Sequence, residues 1–100
     1  MNAKFKAKGT TILHKGEIRA VIYGDIIEGE VQKGMHVQIP FNDSVFMGSE
    51  IESVEYMDKS ENKDSYIALV IKPEENPDEE AEFIQGLNIG DEILEIVEAK

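Results

Sequence analysis

Two imidazoles, five serines, an abundance of carboxylates and a row of lysines are the side chains that could do chemistry here, and their spacing speaks against catalysis. His14 and His36 stand apart, neither with a His at the short interval a metal site uses. They read as structural or exposed histidines rather than ligands or bases. The chain has no Cys, which excludes disulfides, thiolate metal sites, redox motifs and cysteine nucleophiles together. Ser44, Ser49, Ser53, Ser60 and Ser65 sit in no Gly-x-Ser-x-Gly elbow. Glu50/Glu52 and Glu79/Glu80 have the pairing that general acid–base work needs, but 21 Asp and Glu in 100 residues produce such pairs without purpose. A catalytic pair would need burial to shift its pKa values. The acidic run from Glu74 to Glu80 lacks the alternating Asp/Asn ligands, central Gly and final Glu of a calcium loop. The expectation is a non-enzyme with no catalytic residue, no cofactor and no metal site.

The lysines are the better candidates for a contact surface. Lys4, Lys6 and Lys8 share one parity of the first strand, and Lys15 lies near its end. Residues 1–24 hold five Lys and Arg against one Glu, while residues 25–100 hold five against twenty Asp and Glu, within a formal net charge of −11. This is a basic first strand on an acidic body. The body would repel a phosphate backbone, because nucleic-acid affinity comes largely from Lys and Arg neutralising phosphates. An acidic surface keeps a small protein soluble, or it faces a basic partner; lysines on an edge strand also guard it against aggregation. Phe41, Phe46, Tyr56 and Tyr66 are not clustered, so a base-stacking platform is thin.

The elements that must position these residues are short strands. One hundred residues with 41% hydrophobic content make a single domain over residues 1–100. Residues 4–13 alternate as a strand interrupted at Gly9, with Phe5 and Ala7 on the parity opposite the lysines and Phe5 read as core. After a turn at His14-Lys15-Gly16, Ile18, Ala20, Ile22 and Ile26 hold one parity of a long strand. Gly24 within it marks a bulge or a close backbone approach. Gly29 and Gly34 bracket a short strand, and Met35–Ile39 forms another that Pro40 stops. Val45–Met57 is a strand in which Ile51 and Val54 fall on opposite parities, which predicts a bulge between them or pairing on both faces, and it is set between a loop at Phe41–Ser44 and a turn at Asp58–Asp64. Tyr66–Ile71 is continuously apolar, the pattern of a strand buried on both faces. Asn76 and Pro77, followed by three acids, open a helix over 77–85 that Gly86 stops and that lids the barrel. Asn88–Asp91 then turns into a last strand, Glu92–Val97. The pattern predicts an all-β fold, a small six- to seven-stranded β-barrel with one short helix. Its expected core includes Ile18, Ala20, Ile22, Ile26, Val31, Val37, Ile39, Leu69 and Ile96.

The spacing Gly24-x-Ile26-x-x-Gly29-x-Val31-x-x-Gly34-x-x-Val37-x-Ile39, with Ile51–Glu55 and the closing Leu87–Leu94, resembles the second-domain β-barrel of translational GTPases such as elongation factor Tu. The resemblance runs from about Phe5 to Val97. It implies a translation-factor domain 2-like barrel, standing free of the GTPase domain, since no Gly-x-x-x-x-Gly-Lys-Ser/Thr phosphate loop exists here. The family's small residue and Gly-Asp ahead of one strand are replaced here by Glu61–Ser65, and the acidic segment 73–86 is longer than the family's turn. In that family the domain contacts the aminoacyl end of transfer RNA or the ribosome, and no contact residue is carried over.

Two functions stay open. One is a binding module that docks a protein partner; the other is translation-linked binding of RNA ends or the ribosome. GTP and ATP are not expected to bind. Residues 1–8 carry positive charge with no apolar stretch behind them, and no run approaches the roughly 18 apolar residues of a membrane span. A cytoplasmic monomer without membrane contact is the expectation.

Overall fold

The alternating sequence is realised as strands in the computed structural model, which describes residues 2–40, 45–59, 64–87 and 89–98, with the side chains of 15, 57–59, 64 and 65 outside that description. In chain order the elements are β1 (Ala3–Lys15), β2 (Glu17–Glu28), β3 (His36–Pro40), β4 (Phe46–Lys59), β5 (Asp64–Ile71), α1 (Pro77–Gly86) and β6 (Glu92–Val97). The six strands close in the order β1-β2-β5-β4-β3-β6, with β6 returning to β1, and every pairing is antiparallel. The expected small all-β barrel is therefore what forms.

The strand expected between Gly29 and Gly34 is absent. Both glycines have positive φ (79° and 92°), and the Met35 N–H donates back to the Gln32 carbonyl (3.2 Å), so the intervening residues turn instead of forming a ladder. Two bends fall where the sequence placed them. A Cβ at Gly24 would overlap the Lys6 carbonyl, which fixes the close approach of β2 to β1. The β4–β5 register shifts between Ile51 and Ser53, leaving Glu52 as the extra residue of a bulge. The β1–β2 register also shifts between Ala7 and Gly9. The β4–β5 hairpin is tighter than expected: Lys59 pairs with Asp64, and the connection at 60–63 lies outside the described residues, as does the loop at Phe41–Ser44.

One face of each strand fills the interior. Ala20, Ile22, Val37, Ile39, Leu69 and Ile96 are buried as expected, together with Phe5, Ile51 and Leu94. Ile18, Ile26 and Val31 are only partly buried but pack against that cluster, Ile18 and Ile26 lying toward the two ends of β2. β5 is buried on both faces: Leu69 and Ile71 point inward, while Ala68 and Val70 join Val21 in a small cluster outside the barrel.

α1 begins as predicted. Asn76 is the cap, its side-chain oxygen accepting from the Glu79 N–H (3.2 Å), and Pro77 follows. Ala81 and Ile84 enter the same core cluster as Ile22 and Leu69, so the helix lids the barrel. Its end is not the glycine stop expected: Gly86 is inside the helix, and Leu87 caps it in right-handed conformation (φ −72°). In the turn before β6, whose Asn88 is outside the described residues, the positive φ falls on Asp91 (52°) rather than on a glycine.

Candidate functional site

The histidines and carboxylate pairs, the side chains with the chemical means for catalysis, are held apart by the barrel. His14 is exposed near the tip of the β1–β2 hairpin, whereas His36 lies on β3, with β6 between the two strands. His36 Nε2 is 3.9 Å from Glu50 Oε1, and Lys72 Nζ is 3.5 Å from Glu50 Oε2. Glu52, displaced by the bulge, turns instead to Arg19 (Nε to Oε2, 2.9 Å). The guanidinium also meets Glu17 (3.0 Å). The hydrogen bond that Arg19 donates to Glu52 outweighs the desolvation of the guanidinium and, with that to Glu17, holds its pKa above the ordinary arginine value. Arg19 thus ties β2 to β4 across β5, a role its sequence position did not reveal.

Glu79 and Glu80 are separated in the same way. The Glu80 carboxylate turns back and accepts the backbone N–H groups of Glu74 (2.8 Å), Glu75 (2.9 Å) and Asn76 (2.8 Å). Burial pushes its carboxyl up, and the three N–H donors together outweigh that and hold it below the usual glutamate value. The acidic segment is therefore organised around its own backbone. Among the described residues, no group of three His, Asp or Glu is placed to hold a metal ion. Ser49 is buried opposite Val37, and the Ser53 hydroxyl donates to Glu55 (3.4 Å).

The lysine row is interleaved with acids. Lys4, opposite Glu28 in register, reaches its carboxylate at 3.8 Å. Lys6 lies opposite Asp25, and Lys8, at the β1 bulge, is 4.0 Å from Asp91. The part of β1 that carries Lys4 and Lys6 is paired on both sides, to β2 and to β6, and is not an edge. Lys15 ends β1, apart from these three, and its side chain lies outside the described residues.

Exposed apolar side chains gather elsewhere. Ile93 and Phe46 are each 59% exposed, and with Pro40, Val97, Gln38 and Glu95 they line a groove of about 490 Å³ on the outer face between β3 and β6. A second cleft of about 380 Å³ lies between β4 and α1, where Met47 and Phe83 face Lys72, Glu74 and Glu79. The strand Glu92–Val97 did carry a signal for the first groove, since Ile93 and Val97 put apolar residues on the parity opposite Leu94 and Ile96. Phe46 had none, its neighbours in space being remote in sequence.

Fold and surface together define a class: a closed six-stranded antiparallel barrel, lidded by one helix, whose wall carries an apolar groove in an acidic molecule. The chain finds no match among known protein-family models, curated proteins or solved structures. No helix among the described residues is long and apolar enough to cross a membrane.

Proposed function

We propose that this chain is a non-catalytic binding module, a translation-factor domain 2-like barrel that docks a protein partner. The observation that carries the proposal is the groove lined by Phe46, Pro40 and Ile93, an apolar surface on the outside of an otherwise acidic barrel. Apolar patches rimmed by polar residues are where soluble proteins meet other macromolecules. The lysines support the same choice, because Lys4 and Lys8 already meet carboxylates that a phosphate would have to displace. Translation-linked binding of RNA ends or the ribosome is the alternative, and the sequence resemblance is what favours it.

The two are separated by fluorescence anisotropy with a labelled single-stranded RNA, using the parent and a Lys4→Gln, Lys6→Gln, Lys8→Gln variant, alongside photo-crosslinking from exposed barrel positions in cells. The expected result is negligible RNA affinity for both proteins, and adducts sensitive to protease but not to ribonuclease. Submicromolar RNA binding at physiological salt, lost in the variant with a salt slope flatter by about 2 to 3 units, would establish the alternative instead.

A further inference from the structure

The groove lies where a β ladder stops. β3 and β6 pair at His36 with Val97 and at Val37 with Ile96, and no further. Continued in the same antiparallel register, the next pairs would be Gln38 with Glu95, Ile39 with Leu94 and Pro40 with Ile93. Five of these six residues line the groove. Ile39 is fully buried and Leu94 nearly so, so the core is sealed beneath while the strands part above it. The seam is a local opening of the sheet, and it leaves the β6 edge over Ile93–Glu95 without a ladder partner on that side among the described residues. Pro40 fits this geometry, since a proline within a sheet sits where its missing N–H would face no partner. Phe46, opposite Pro40 on β4, supplies one apolar wall.

Building on the reading of the chain as a protein-docking module, we infer that the seam accepts an extended segment of another protein as an added strand along β6, and that the segment is basic and apolar in alternation. Strand addition takes affinity from main-chain hydrogen bonds and specificity from alternate side chains. On the outer face those side chains would meet Ile93 and Phe46 and then Glu95, the one charged residue lining the groove. Lys4, the cross-strand neighbour of Glu95, turns to Glu28, leaving Glu95 to pair with a cation from outside. A second copy of this chain is a poor occupant, because each carries a formal charge of −11 and like charges repel on approach.

The experiment titrates the ¹⁵N-labelled protein with three nine-residue peptides of alternating valine and threonine: one with a central lysine, one with a central glutamate, and the lysine peptide N-methylated at alternate residues. The expected result is that the lysine peptide shifts the amide signals of Gln38 and Ile93–Glu95. Binding should be at least tenfold weaker for the glutamate peptide and lost on N-methylation, with Glu95→Lys reversing the charge preference and Glu95→Gln abolishing it. The spectra of both variants report that the fold is kept. Absence of seam shifts, shifts centred on the α1 cleft, or a charge preference unchanged in Glu95→Lys would each overturn the inference. If protein adducts nevertheless form elsewhere on the barrel, partner docking stands without the seam; if RNA alone is recovered, both readings fall.

Discussion

Glu80 shows how one side chain can decide the fate of a segment that composition alone would leave solvated. Three backbone N–H groups ahead of the helix converge on its carboxylate at 2.8–2.9 Å, so the approach to α1 is fastened by a single charge. Because its pKa in the fold is below that of a free glutamate, ionised Glu80 stabilises the protein above the ordinary carboxylate range. That contribution disappears as the pH falls through the lowered value. Glu80→Gln keeps the shape and removes the charge. We expect it to cost about 1–2 kcal/mol at neutral pH, measured by urea unfolding, with the gap to the parent closing below roughly pH 4.5. A gap that stays constant down to pH 3 would mean the carboxylate charge contributes nothing. The sequence announced Asn76 and Pro77 as a helix start; it could not announce Glu80, because Glu79 and Glu82 stand beside it in the same helix turn and only the chain path selects one.

Among the elements, β2 was the most legible and the most consequential. Its parity is readable because alternate residues at Ile18, Ala20, Ile22 and Ile26 are apolar, and the structure turns that face inward. Ile22 is completely buried at the middle of the strand, between Thr10 on β1 and Leu69 on β5. Ile22→Ala should cost about 2–5 kcal/mol in equilibrium unfolding, and a variant as stable as the parent would mean that the interior is not packed around this position. The segment from Gly29 to Gly34 was misread for a physical reason. Spaced apolar residues look like a strand, but two positive-φ glycines five residues apart spend the backbone on turns, and Val31 reaches the core from a loop. The seam between β3 and β6 was illegible for a different reason. Whether Ile93 and Phe46 are covered depends on where a ladder ends, a property of two strands remote in sequence and of neither alone.

At the scale of the whole molecule, charge sets the terms. The barrel measures 34 × 31 × 25 Å and carries a formal −11, so at about 0.01 M salt, where screening acts over roughly 30 Å, every surface carboxylate feels the others. The exposed pairs, such as Lys4 with Glu28 and Lys8 with Asp91, each contribute at most about 1 kcal/mol in return. Repulsion should prevail, and we expect the melting temperature by circular dichroism to rise when sodium chloride goes from about 0.01 to 0.15 M, over which the screening length falls to about 8 Å. A fall would mean that the ion pairs outweigh the net charge.

The return of β6 to β1 governs when this molecule can be assembled. Ala3–Ala7 pairs on one side with β2, close in sequence, and on the other with Glu92–Ile96, nearly the whole chain away. Contacts of such separation are reached only after the intervening segments have ordered, which makes barrels slow to form compared with helical bundles. During synthesis the first hairpin can therefore fold early, but the opposite flank of β1 stays open until the strand ending at Val97 has left the ribosome. Throughout that interval the backbone of Ala3–Ala7 offers its hydrogen bonds to any neighbouring strand, the hazard that an unpaired strand edge carries.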